Sequence, residues 1–377
     1  MAVHQSDVQA IATCFELSGR FIEAEPYGSG HINDTFAVRF DDGVNRIRYV
    51  LQRINHEVFE DIPAVMENFD RVTRHITASL ERRDIPDRSR RVMTLVPTRD
   101  GSTYYADPAD GYWRAFHFIE EATSYDVLTT HDQAYEVARA FGTFQMMLVD
   151  LPGPPLHETI PGFLDGPDRF RAFLDVLESD PLNRAVDARS EIEFLMENAH
   201  VFDRLPVLIS GGVVPLRVTH NDCKINNVLI DDVTGEGLCV VDLDTVMPGL
   251  VMYDFGDMVR TGTCPVAEDC RNLNDVRMDL ERFRSLTQGY LASAGEFLTP
   301  AEREELVFAG KVITLMLGAR FLTDHLQGDT YFKVHRPDHN LDRCRVQFAL
   351  VRSMANQESA MYEVLEQATV GTKAAHQ

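Results

Sequence analysis

The chain has no CxxC pair. Its six cysteines, Cys14, Cys223, Cys239, Cys264, Cys270 and Cys344, are scattered over 377 residues, without the clustered spacing a structural zinc site needs. The N-terminal stretch MAVHQSDVQAIATCF lacks a basic leader and a long apolar run, so it does not read as a secretory signal. No run of about 18 apolar residues stands out as a bilayer span. Positive charge is scarce as well: 36 Lys and Arg face 59 Asp and Glu, a formal charge of −23. That balance argues against a nucleic-acid polymer as partner, because such a binder neutralises phosphates with basic surface. It argues equally against docking on anionic membrane. A nucleotide substrate stays open, since a local cluster and metal ions can hold phosphates inside an acidic protein. The expectation is a soluble protein of a reducing compartment, the cytoplasm, with free thiols.

What is present is ordinary globular material, 44% apolar and 25% charged, in a length that suggests two lobes. After a short helical stretch at 5–17, FIEAEPYGSGHINDTFAVRF reads as strand, glycine turn, strand, and DDGVNRIRYVLQRIN adds a turn and a third strand. IPAVMENFDRVTRHITASLERR is helical, with Val65, Phe69, Val72, Ile76 and Leu80 on one face. Two or three more strands follow up to residue 119. Beyond EEATSYD the pattern is helical, at 132–150, 166–179, 189–205, 279–294, 300–326 and 343–369. One short hairpin interrupts it after Val218. The layout is α+β: a β-rich N-terminal lobe over 1–120, a hinge near 119–122, and a large helical lobe over 121–377. No internal repeat or low-complexity segment is evident.

The stretch VTHNDCKINNVLI, residues 218–230, places His, Asp, Lys and two Asn between strand-like runs. His220, Asp222 and Asn227 fit H-x-D-x-x-x-x-N, the catalytic-loop spacing of kinases. The Asp reaches an acceptor hydroxyl, and an Asn five residues on turns back to a metal at the phosphates. Lys224 is placed to neutralise charge growing on a transferred phosphoryl group. VLIDDVTGEGLCVVDLD then reads as a hairpin ending at Asp242 and Asp244, and Asp242 supplies the carboxylate a second Mg²⁺ contact needs. A polar turn with Asx caps would explain HNDCKINN alone, but not the hairpin delivering a carboxylate behind it. The later triplet Asp254–Phe255–Gly256 lies too far from Asn227 and follows no strand, so it is not the metal triplet.

Gly28 and Gly30 lie between two strands, where backbone N–H groups could approach phosphates; a hairpin turn needing positive φ would use the same residues. His31 and Asn33 sit just past that turn, placed for the nucleotide or a sugar. A kinase also needs a cation on its third strand. YVLQRIN offers no Lys. It offers Gln52 and Arg53 on opposite faces, with Glu67 of the next helix as a partner for Arg53, or a surface Arg and a solvated Glu.

THNDCKINNVL together with VVDLDTVMPGLVMYDFGD resembles the aminoglycoside phosphotransferase/choline kinase superfamily. Within it the chain is most similar to N-acetylhexosamine 1-kinases, a likeness that GSGHINDTF, YVLQRIN, VMENFDRVTRHI and GARFLTDHLQGDTYFKVHRPDHNLDR extend over nearly the whole chain. The resemblance implies a protein-kinase-like bilobal fold, ATP and Mg²⁺ in the interlobe cleft, and phosphorylation of the anomeric hydroxyl of GlcNAc or GalNAc. It implies Asp222 as catalytic base and Asn227 and Asp242 as Mg²⁺ ligands. It places Arg320 and Tyr331 at the sugar, with Asp324 and His31 as further contacts. The missing strand-three Lys departs from the superfamily and leaves open how the α- and β-phosphates are held. From the residues alone, Arg320 and Asp324, four apart on a helix, could equally form a structural ion pair.

Other acceptors of the same chemistry are an aminoglycoside, choline, homoserine or another sugar. A non-catalytic nucleotide-binding module would be expected to lack the base or a metal ligand, and here Asp222, Asn227 and Asp242 are all present. A protein kinase is disfavoured, because DLDT stands where the metal triplet belongs and no A-P-E segment follows.

Overall fold

The computed structural model describes residues 5–28, 32–108 and 111–375. The chain divides into two compact units. One gathers residues 1–122, 151–161 and 241–246, and the other 123–150, 162–240 and 247–377.

The first unit is an antiparallel sheet with two helices. Its elements are α1 (Gln5–Ala12), β1 (Arg20–Pro26), β2 (Asp34–Asp41), β3 (Arg46–Ile54), α2 (Ile62–Arg82), β4 (Leu95–Val96), β5 (Tyr105–Asp107) and β6 (Gly111–His117). The strand order is β1-β2-β3-β6-β4, with β5 also on β6. Alternation along β6 sorts its side chains between the two faces. Trp113 and Ala115 join Leu51 and Tyr49 of β3 in a core closed by Val8, Ile11 and Phe15. Arg114 and Phe116 point the other way, where the Phe69 ring of α2 lies 5.2 Å from that of Phe116. α2 starts where the chain specifies it: Asp61 accepts the Ala64 N–H at 3.0 Å, and Pro63 sits in the first turn, where a missing N–H costs nothing. Its apolar stripe, Val65 to Leu80, is buried throughout.

The second unit begins within β7 (Ala122–Thr123) and is mainly helical: α3 (His131–Leu148), α4 (Gly166–Ser179), α5 (Arg189–Asn198), α6 (Arg204–Ser210), α7 (Val251–Thr263), α8 (Leu280–Ala294), α9 (Pro300–Glu304), α10 (Leu306–Gln327), α11 (His339–Asn356) and α12 (Glu358–Ala375). Two short antiparallel pairs are set among them, β8 (Arg217–Thr219) with β11 (Met247–Gly249) and β9 (Val228–Asp231) with β10 (Gly237–Val240).

Several helices differ from the expected bounds. The run 189–205 is α5 and then a 3₁₀ turn at Ala199–Phe202, with α6 beginning at Arg204. The run 300–326 is α9 and α10, and 343–369 falls within α11 and α12, which part at Gln357. There the Gln357 side chain donates to the Met278 carbonyl at 2.8 Å, a bond a continuous helix pattern cannot announce. The expectation that no stretch could span a bilayer is also corrected. α10 is long and apolar enough by length and composition, but 78% of that stretch is buried inside the protein, as in a core helix.

Candidate active site

The loop between β8 and β9 is hung from a buried carboxylate. Both Asp254 oxygens accept main-chain N–H groups, Oδ2 from His220 at 2.8 Å and Oδ1 from Asn221 at 2.7 Å. Gln145 donates to the same carboxylate at 2.7 Å, and the Tyr290 hydroxyl orients Gln145 at 2.6 Å. Burial pushes the Asp254 pKa up, and these hydrogen bonds to the charged form oppose it. The DFG triplet is therefore helical, inside α7, and its Asp is an anchor for the loop. The His220 ring is fully buried and meets the rings of Phe141 and Phe144 edge-on. It braces the loop by packing and through its main-chain N–H.

Asn221 takes a left-handed conformation, φ 64°, which Asn tolerates better than most residues. Its side chain accepts from the Thr219 hydroxyl at 3.0 Å and packs over Gly249. A Cβ on Gly249 would lie 2.4 Å from Asn221 Oδ1 and 2.3 Å from Thr219 Oγ1, so only glycine fits.

This scaffold presents Asp222. Its side chain keeps 26% of its surface open, and Lys224 Nζ lies 3.0 Å from Oδ2. Asn227 donates through Nδ2 to the Asp222 carbonyl at 2.8 Å and to its Oδ2 at 3.2 Å. Burial would raise the Asp222 pKa, but Lys224, then His220 and Arg260, outweigh it and hold the carboxyl below its ordinary value. The group is an anion at neutral pH. Asn226, for which the sequence suggested no role, donates to Asp126 at 2.8 Å and ties the loop to the segment before α3.

The structure brings Arg320 and Tyr331 together. Arg320 Nη2 lies 3.3 Å from the Tyr331 hydroxyl, and the guanidinium carbon is 5.3 to 5.4 Å from the ring centroids of Phe163, Tyr331 and Phe332. Burial lowers the Arg320 pKa; Arg169 adds to that, while Tyr331 and Asp222 oppose it. Arg320 is thus within electrostatic reach of Asp222. Phe163 was missed in the sequence because nothing near GFLDG marks it as a partner of Arg320. Asp324 is a correction to the list of sugar contacts. It is 2% exposed, and its carboxylate accepts the N–H groups of Thr330, Tyr331 and Phe332 at 2.8 to 2.9 Å and the Asn340 amide at 2.8 Å. It is saturated by the loop that carries Tyr331. It forms no ion pair with Arg320 either.

In the first unit, Gly28 has φ 80°, as a tight turn requires; Gly30 and His31 lie outside the described residues. Arg53 pairs with Asp34 at 2.5 Å, and Glu67 with His157 at 3.1 Å; of the two readings, the separate Arg and Glu holds rather than their pair. Gln52 is also spent internally: its Oε1 accepts from Arg114 at 2.6 and 2.9 Å, and its Nε2 donates to Thr35 at 2.9 Å. Asn33 donates to Asp244 at 2.7 Å. Arg114, which sequence reasoning overlooked, forms a two-bond pair with Asp244 at 2.5 and 2.8 Å. Asp242, two residues beyond β10, is left-handed, φ 61° and ψ 58°.

Asn227 keeps its amide oxygen once Nδ2 is committed to Asp222, and Asp242 carries a carboxylate. Each is a hard oxygen group of the kind Mg²⁺ takes, one or two at a time, together with waters and phosphate oxygens.

A β-rich unit, a helical unit and a loop with an anchored Asp define a kinase-like phosphotransferase fold. The model of the phosphotransferase enzyme family matches residues 23–275, and the chain belongs to that family. Among solved structures, an aminoglycoside phosphotransferase from Alicyclobacillus acidocaldarius is similar at 13% identity and TM-score 0.57, over 97% of this chain and 96% of its own. A spectinomycin phosphotransferase in complex with ADP and spectinomycin gives 11% identity and TM-score 0.58, over 93% and 98%. A choline kinase from Cryptosporidium parvum gives 15% identity and TM-score 0.52, over 93% and 92%. At these identities the likeness is one of fold.

Proposed function

We propose that the chain is an ATP-dependent, Mg²⁺-using kinase that phosphorylates the anomeric C1 hydroxyl of an N-acetylhexosamine, GlcNAc or GalNAc, giving the 1-phosphate. Residues 1–120 would carry the nucleotide, and 121–377 the acceptor and the chemistry. The observation that carries this reading is the Asp222 carboxylate, aligned by Asn227 and Lys224 within reach of the ring-walled Arg320.

Asp222 accepts the hydrogen bond of the acceptor hydroxyl and orients it for in-line attack. Its depressed pKa makes it a weak base. An anomeric hydroxyl, more acidic than an ordinary alcohol, suits such a base, and positioning contributes most of the rate. Lys224 offsets negative charge that grows at the transferred group. Asn227 and Asp242 would hold Mg²⁺, whose charge neutralises the phosphates when it is bound. Tyr331, Phe332 and Phe163 offer apolar faces to a sugar ring, and Arg320 a donor fork to its oxygens. The positive charge of Arg320 and Arg169 on this side favours a neutral acceptor over a cationic one such as choline or an aminoglycoside.

A phosphate-transfer screen with GlcNAc, GalNAc, free hexoses, choline, homoserine and aminoglycosides tests the acceptor. Turnover confined to the N-acetylhexosamines is expected; preference for a cationic acceptor would refute the assignment. Asp222→Asn is expected to abolish turnover while ATP and sugar still bind. Activity retained within about tenfold, ~1.4 kcal/mol of barrier, would remove Asp222 from its role.

A further inference from the structure

The third strand carries no lysine, yet a buried cation stands directly beside it. Arg114 of β6 is paired in register with Gln52 of β3, and it faces away from solvent at 1% exposure. We infer that Arg114 is a positioning residue for the metal-binding carboxylate Asp242 and acts through Asp244; this rests on the proposed metal role of Asp242.

The segment from Asp242 to Val246 is short and is fixed at two points. At the first, Asp244, 2% exposed, receives both Arg114 bonds and one from Asn33. Each partner is itself oriented. Gln52 takes two of the remaining guanidinium donors, and Asn33 accepts the Asn55 N–H at 2.9 Å. At the second, Asn68 of α2 donates to the Val246 carbonyl at 3.1 Å. Between them Leu243–Thr245 is wound as a 3₁₀ turn, closed by the Val246 N–H on the Leu243 carbonyl at 3.1 Å.

Asp242 heads this turn in the left-handed region. Asp enters this region with little strain, so the backbone conformation of Asp242 does not by itself hold its carboxylate in place. The clamp two residues on fixes the segment that follows it. Stability alone does not call for charge here, because a well-packed apolar pair of similar volume serves a core as well or better. A bidentate guanidinium–carboxylate pair adds direction, and direction is what a metal ligand needs.

The test separates packing from positioning. The double variant Arg114→Met with Asp244→Leu removes both charges and leaves neither buried alone. The probe is Mn²⁺ binding to the enzyme–ADP complex, read by electron paramagnetic resonance without turnover, on protein whose fold is checked by circular dichroism and thermal melting. The folded double variant is expected to bind Mn²⁺ at least tenfold more weakly, with GlcNAc affinity by calorimetry unchanged. Mn²⁺ affinity within twofold of the parent would overturn the inference. If the double variant does not fold, Arg114→Lys takes its place; it keeps the charge and loses the fork. A loss of about threefold or more then supports the clamp, and an unchanged affinity overturns it. Asp242→Ala serves as the control. If it too keeps Mn²⁺, the metal role of Asp242 fails and the inference with it. If it loses Mn²⁺ while the clamp variants do not, the clamp alone is wrong.

Discussion

Lys224 does more to Asp222 than sit beside it. Its charge is the strongest influence holding the carboxyl below its ordinary value against burial. Lys224→Met is therefore expected to move the acid limb of the kcat/KM profile to higher pH, because burial then acts with less opposition. An unmoved limb would show that Lys224 does not set the ionisation. A different residue-scale effect belongs to His325. It is 2% exposed, and neither ring nitrogen has a hydrogen-bond partner among the described residues. Burial, with Arg184 close by, lowers its pKa. As pH falls below about 6.5, the unfolded chain takes a proton that the folded one refuses, so stability drops there. His325→Leu removes two unsatisfied atoms, worth ~1–3 kcal/mol. It should raise Tm at neutral pH and flatten the decline in Tm from pH 7 to pH 5. Thermal melts across that range check both.

At the scale of elements, two carboxylates hold loops by their backbones. Asp254 carries the loop between β8 and β9, the proposed catalytic loop. Asp254→Ala should cost at least ~100-fold in kcat, with amide exchange at 220–227 accelerated while α2 is unaffected. Asp324 carries the Tyr331 loop. Asp324→Ala should raise the acceptor KM and leave the ATP KM within about twofold. Neither role was legible in the sequence, because the partners are main-chain N–H groups, which every residue has. What was legible is local. The α2 stripe and the spacing of His220, Asp222 and Asn227 each lie within a few turns of chain. α7 has a polar stripe, Asp254, Asp257 and Arg260 three apart, but that stripe is buried rather than solvated, so it does not mark a surface helix in the usual way. Arg114 and Asp244 are 130 residues apart, and no pattern in either neighbourhood points to the other. Arg53 and Glu67 were matched by charge, whereas strand register gives Arg53 to Asp34.

For the whole molecule, the excess of 59 acidic over 36 basic residues is the dominant long-range term. Like charge repels across a folded surface, and salt screens it. Tm should rise between about 10 and 200 mM NaCl. A fall would mean that the ion pairs outweigh the repulsion. α10 has a consequence during synthesis. Its apolar surface is covered by α4 and α7, which the ribosome has already released, and by α11, which has not yet emerged. For that interval the nascent chain displays a segment greasy enough for a bilayer, and exposed apolar surface of this kind invites aggregation and chaperone capture. A chain stopped near residue 337 should be recovered as inclusion bodies.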